Sequence, residues 1–263
     1  MKTKILIGTF LITLCHAAAQ KKDTGLIKYV HQDNLLSVEY NALLAIDGRK
    51  TYYVTAQDSL GTRGRINTYS DNSIIQADSY AAAKKTRKAG FQVFNDLSKP
   101  DIYFSHALSL NAPLLYVQEK RPKHEWQLSN ETKEIAGLAC KAATTIFRGR
   151  KYTCWYTTDI PLPFGPWKLM GLPGLILEAS SEDGAYKVTA VSVEFPSIHS
   201  IVPDNEMELL SADDKYYPLG SYIDYQRRFI KRENETMRLA ALKYNVTAVM
   251  GKERDNYLEV FGK

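Results

Sequence analysis

The sequence predicts a mainly β fold, an antiparallel curved sheet or half-open barrel with one or two packing helices. Three observations lead there. Runs of β-branched and aromatic residues recur along most of the chain. Asp-Gly or other Gly-containing turns separate them in pairs, as in successive hairpins. A single long stretch, near the C-terminus, carries helical periodicity instead.

The N-terminus reads as an export signal. Lys2 and Lys4 precede an apolar run from Ile5 to Leu14, and Ala17 and Ala19 supply an A-x-A site. Cleavage near Ala19 leaves residues 20–263 as a single β-rich domain. The run is too short to span a bilayer, and no later run is long enough either. Cys15 follows Leu14, where a lipid-attachment motif wants a small residue, so cleavage rather than lipidation is expected. Removing Lys2 and Lys4 takes the formal charge from +5 to +3, too mild to argue for nucleic acid. Seventeen Tyr residues, against nine Phe and three Trp, suit strands and binding surfaces alike.

"SVEYNALLAIDGRKTYYVTAQ" (37–57) predicts a hairpin at Asp47-Gly48, with Tyr40, Ala42, Leu44 and Ile46 on one face. Residues 57–75 read as a polar loop, and 73–90 as a short helix closed by Gly90. "FQVFND", "DIYFSHAL" and "LLYVQEK" follow as short strands. "EIAGLACKAATTIF" and "RKYTCWYTTDI" predict a second hairpin turning near Gly149. A two-residue turn at Gly149–Arg150 sets Thr145 opposite Cys154, and a three-residue turn sets Thr144 there. Either way Cys140 lies on the wrong face or roughly 13 Å along, at about 3.3 Å per residue. A disulfide needs Cα atoms within about 7 Å, so both thiols are expected to be unpaired.

A third hairpin is expected at Asp183-Gly184, and residues 196–220 read as loop. Residues 221–245 predict the main helix, capped by Ser221 and Asp224. Ile223, Ile230, Met237, Ala241 and Tyr244 form its apolar stripe, with Arg227, Arg228, Lys231, Arg232 and Arg238 on the remaining surface. A basic amphipathic helix can bind anionic lipid, but more often one stripe packs on a sheet and the rest is solvated.

Catalytic patterns are sparse. His31, His106, His124 and His199 show no metal-ligand spacing, and no H-E-x-x-H, C-x-x-C, G-x-S-x-G or Walker pattern occurs. No catalytic residue, metal or cofactor is therefore expected, and the chain reads as a non-enzyme. His106 or His124 would be the starting points for a hydrolase assembled from distant segments.

The unusual stretch is "GPWKLMGLPGLILEASSEDG" (165–184), apolar yet punctuated by Pro and Gly. Pro173 and Gly174 suit positions i+1 and i+2 of a type II turn from Leu172 to Leu175, feeding a strand. The turn either fills a core or rims an apolar ligand. Gly171, Leu172, Pro173, Gly174, Leu175 and Ile176 spell GLPGLI. Trp126, Leu128, Thr132, Lys133, Ile135, Gly137, Cys140, Lys141 and Ala142 extend the pattern upstream, and Gly165, Pro166 and Trp167 lead into it. Residues 126–186 thereby resemble the GLPGLI family, exported proteins of Bacteroidetes-type bacteria. Cys154 departs from the small residue expected before Trp155. The resemblance implies a periplasmic, outer-membrane-associated or secreted location, and it brings no catalytic residue.

Three functions fit these readings: a non-enzymatic binding or carrier module for an apolar lipid or peptide, an interaction partner of an outer-membrane complex, or a hydrolase with an unrecognised site.

Overall fold

The computed structural model describes residues 23–35, 38–56, 90–108, 112–210, 213–247, 250, 252 and 258–261. The export signal, the 57–75 loop and the helix expected over 73–90, apart from Gly90, lie outside the described residues.

Among these residues twelve strands form one open sheet. In chain order they are β1 (Thr24–Asp33), β2 (Val38–Asp47), β3 (Lys50–Ala56), β4 (Gln92–Asp96), β5 (Asp101–His106), β6 (Leu115–Lys120), β7 (Gln127–Ile135), β8 (Leu138–Phe147), β9 (Arg150–Thr157), β10 (Leu175–Ser181), β11 (Tyr186–Glu194) and β12 (Tyr216–Pro218). One helix, α1 (Leu219–Tyr244), follows β12. The order across the sheet is β12-β6-β5-β4-β3-β2-β1-β11-β10-β9-β8-β7. All pairings are antiparallel except β12 with β6. The predicted mainly β, antiparallel curved sheet is what the chain forms, with a single α-helix and a short 3-10 helix (Glu206–Leu209) among the described residues.

The hairpin logic holds where glycine sits at the turn. Asp47 pairs with Lys50 around Gly48 at φ 59°. Tyr40, Ala42, Leu44 and Ile46 are buried together, as expected, but Leu43 and Ala45 on the other face are buried as well. β11 and β1 join the two halves of the sheet, with a bulge between Lys28 and Tyr29. β1 itself, Ile27, Tyr29 and His31 facing inward, has no counterpart in the sequence reading.

Two turns differ from expectation. The run 134–147 is not one strand. It breaks at Ala136-Gly137 (φ 50° and 79°), so Ile135 pairs with Leu138 and β7 forms a further hairpin with β8. The next turn uses Arg148-Gly149 (φ 47° and 74°), so Ala143, not Thr144 or Thr145, faces Cys154. Both are two-residue turns with positive φ at both positions, which matches sheet twist. The two cysteines are free and buried, as expected.

The sheet curls strongly. Glu119 on β6, second in the order, forms an ion pair with Arg148 in the turn between β8 and β9, near the far edge. One apolar core runs through the concave side, drawing on β1–β11, α1 and the loop between β9 and β10.

α1 begins two residues earlier than predicted. Its N-cap is Pro218 with no side-chain cap hydrogen bond, so Ser221 and Asp224 do not form the expected cap. The ring of Pro218 fixes φ at −65°, and with ψ at 151° the residue is extended, so the helix starts directly after it. Tyr222, Gln226 and Phe229 are buried, whereas Met237 and Tyr244 of the predicted stripe are exposed. Among the described residues, the main sheet contacts of the helix are with β6 and β12, and three of its four buried residues lie in its first half.

Candidate functional site

The GLPGLI stretch, residues 171–176, runs from the end of the 158–174 loop into β10, and this loop enters the concave side of the sheet. Phe164, Leu169, Leu172, Leu175, Ile176 and Leu177 are each at most 2% exposed and belong to the main core. Full burial of such a side chain is worth roughly 1.5–3 kcal/mol. Buried backbone needs partners, and the loop supplies them internally. Gly171 N donates to Pro163 O at 2.9 Å, Leu175 N to Ile160 O at 3.0 Å, and Ile176 N to Phe164 O at 2.9 Å.

The glycines act differently from the sequence expectation. Gly174 has no positive φ, so Leu172–Leu175 is not a type II turn. Gly174 is required by contact instead, because a Cβ there would sit 2.0 Å from Thr157 O. Gly165 is similarly hemmed in, with a Cβ falling 2.5 Å from Leu169 O. The left-handed positions are Trp167 (φ 56°) and Gly171 (φ 93°). Trp126 braces the loop from outside, its Nε1 donating to Met170 O at 3.0 Å. Pro166 is buried and accepts a hydrogen bond from Leu169 N, while Pro173 is exposed. Trp167 stacks into an aromatic group with Phe147, Tyr152 and Tyr186. Trp155 lies apart from the loop, beneath Lys133 Nζ, which is 4.3 Å from its ring centroid and pairs with Glu178.

At the tip of the loop a charged side chain is buried. Lys168 Nζ donates to Glu259 Oε2 and forms an ion pair with Glu119 Oε1, both at 2.8 Å. It also lies 3.3 Å from the Phe104 ring centroid. Arg148 Nη2 donates to Glu119 Oε2 at 2.6 Å, and its Nε lies 3.3 Å from Glu259 Oε1. Two cations thus face two carboxylates, balancing charge where water is excluded. The group ties the loop to β6, to the β8–β9 turn and to the C-terminal segment. That segment is held further by Val260 N bonded to Arg148 O and by Gln226 Nε2 donating to Glu259 O. Arg150, also buried, pairs with Asp183.

The sequence reading does not contain this tetrad. The signal for one member is legible, since Lys168 is a lone charge inside an apolar motif. Its partners are not, because Glu259 lies 91 positions away.

The histidines serve as structural partners. His124 Nε2 donates to Lys168 O at 2.9 Å, and burial lowers the basicity of its ring. His31 Nδ1 is 2.8 Å from Tyr53 Oη, and burial pushes its pKa down to about 4. His106 Nδ1 bonds to Tyr222 Oη. Burial pushes the Cys140 thiol up to about 11 and the Cys154 thiol higher still. A buried neutral thiol is a poor nucleophile. Among the described residues no group of three or more His, Cys, Asp or Glu is arranged to hold a metal ion, and no helix is long and apolar enough to cross a membrane.

Among the described residues, two grooves lie outside the core. One, of about 420 Å³, runs beside the β7 edge and is lined by Lys123, Glu125, Trp126, Gln127, Thr144, Ile146 and Lys151. The other, of about 540 Å³, lies between α1 and the C-terminal segment, lined by Arg148, Ile223, Asp224, Arg227 and Phe261.

Fold and site together define an open, curled β domain whose concave side is filled by its own loop. Residues 115–217 match the family described as N-glycanase peptide, N-terminal domain. Solved structures of PNGF-II in the P21 and C2 space groups are similar to the chain at 18% identity and a TM-score of 0.47. The match covers 77% and 78% of this chain respectively and 32% of each of those, so the chain spans about a third of their length. No curated protein matches.

Proposed function

We propose that the chain is a non-enzymatic recognition module of the cell envelope that engages a partner protein through its outer surface. The observation that carries this reading is the filled concave side. An apolar carrier of this shape would hold its ligand where Leu169, Leu172 and Ile176 are packed and Lys168 is ion-paired. The buried His31 and the two buried thiols support the non-enzymatic part of the reading. The export signal and the GLPGLI resemblance support the envelope location. A match to a domain named for the N-terminus of an N-glycanase is in keeping with an accessory unit rather than a catalytic one.

The recognition face is the β7 edge with the adjoining β8 surface. Among the described residues β7 pairs only with β8, leaving one side of the nine-residue strand unpaired by them. Leu128 and Ile146 are exposed there, 62% and 77%, among Lys123, Glu125 and Lys151. An open edge of this length is a template for a partner strand or surface. A photo-crosslinking residue at position 146, in cells producing the chain, should give one discrete protein adduct that is absent when the probe replaces Lys187 on β11. Native mass spectrometry should show the purified chain free of small ligand. A copurified lipid in stoichiometric amount would return the carrier reading and overturn this one.

A further inference from the structure

We infer that the distal half of α1 is a docking surface for an anionic phospholipid membrane. The first three turns of the helix are anchored by Tyr222, Gln226 and Phe229. Beyond Ile230 every described residue to Thr247 is exposed except Asn234 and Ala241. From Lys231 to Tyr244 the helix therefore runs for about 20 Å with little beneath it, at about 1.5 Å per residue.

The exposed face has a definite chemistry. At about 100° per residue, Arg228, Lys231, Arg232, Arg238, Leu239, Leu242 and Lys243 share one sector of roughly 140°. That sector lies opposite the buried Tyr222, Gln226 and Phe229, so it points away from the sheet. Leu239 and Leu242, 54% and 67% exposed, sit between the cations rather than on the packing side. Two carboxylates share the sector: Asp224, one turn before Arg228 at its proximal end, and Glu235, which is held by Arg238 through two hydrogen bonds of 3.0 and 2.7 Å. Tyr244 and Val246, both exposed, finish the helix at the left-handed Asn245.

Leucines flanked by five basic side chains and ended by a tyrosine are suited to an interface between water and lipid. The apolar side chains enter the headgroup boundary, the long basic stems extend to the phosphates, and the tyrosine ring sits at headgroup level. The charge argues against a second copy of the chain as the occupant, because apposed faces would bring five cations against five. Two leucines give little affinity alone, so the attraction is mainly electrostatic and falls with salt. This surface is separate from the β7 edge.

The test uses residues 20–263 and vesicles of phosphatidylcholine, alone or with 30 mol % phosphatidylglycerol (~30, chosen for a bacterial level of anionic lipid). Cosedimentation at low salt should show binding to the anionic vesicles only, lost in high salt. Arg228→Gln with Lys231→Gln should lower the partition about 25-fold, at about fivefold per basic residue. Leu239→Ser with Leu242→Ser should also lower it. All four positions are exposed, so far-UV circular dichroism should show an unchanged fold. Equal partition onto both vesicle types, or onto neither, overturns the inference. So does a dimer that the Leu variant dissolves, which assigns the face to a second copy. Retention on immobilised polyglutamate without vesicle binding overturns it in favour of an acidic protein.

Discussion

Replacing Lys168 by Met tests the buried tetrad at its centre. Met keeps most of the aliphatic stem and removes the ammonium. Glu119 and Glu259 each lose a 2.8 Å ion pair, and their side chains are 0% and 7% exposed. Arg148 then remains as the sole partner for both, at 2.6 and 3.3 Å. Breaking a buried pair by removing one partner costs about 3–5 kcal/mol. For a domain of this size, about 4 kcal/mol lowers Tm by roughly 8–16 °C. Urea unfolding followed by tryptophan fluorescence measures the loss. Adding Glu119→Gln to Lys168→Met restores the balance of one cation and one carboxylate. The double variant should therefore recover about 1–2 kcal/mol, a coupling within the range for contacting residues. A Lys168→Met protein within about 1 kcal/mol of the parent would contradict this, because two buried carboxylates sharing a single cation leave one negative charge uncompensated.

Further predictions concern the glycines, the thiols and His31. Gly174→Ala should cost about 1–3 kcal/mol or more, since its Cβ meets a backbone oxygen, while Gly220→Ala, with open space around it, should be neutral or stabilise by up to about 1 kcal/mol. Urea midpoints of the two variants check this contrast. Cys140 and Cys154 should resist Ellman's reagent in the native protein and both react in denaturant. Burial lowers the folded pKa of His31 from 6.5 to about 4, so the unfolded state binds more protons between those values. Its contribution is fully present above pH 6.5 and is lost as pH falls towards 4, by about 3 kcal/mol in all. The stability difference between the parent and His31→Gln should shrink over that window, and a constant difference would contradict the assignment.

Turns explain much of what the sequence made legible and what it hid. Gly48 and Gly184 have positive φ within Asp-Gly pairs, and both hairpins are where those pairs predict them. The Ala136-Gly137 and Arg148-Gly149 turns put a non-glycine residue at positive φ first. Such residues are seldom left-handed, so the sequence draws the turn one residue late or omits it. The consequence is a shifted register opposite Cys154. Pro173-Gly174 shows the reverse error, since this glycine answers to a neighbour's oxygen rather than to a left-handed backbone. Helical periodicity marked the extent of α1 well, but a stripe carries no information about how far the sheet beneath it reaches. Met237 and Tyr244 are exposed for that reason. Burial of the motif follows from its apolar side chains. Its anchoring does not, because Glu119, Arg148 and Glu259 meet Lys168 only after the sheet has curled.

Hydrogen exchange in the 158–177 segment tests most directly whether the motif loop is part of the core. The amides of Gly171, Leu175 and Ile176 should exchange as slowly as those in the middle of β9, through global unfolding alone. Exchange there orders of magnitude faster than in β9, under conditions where the strands stay protected, would contradict the account and make the loop a mobile rim.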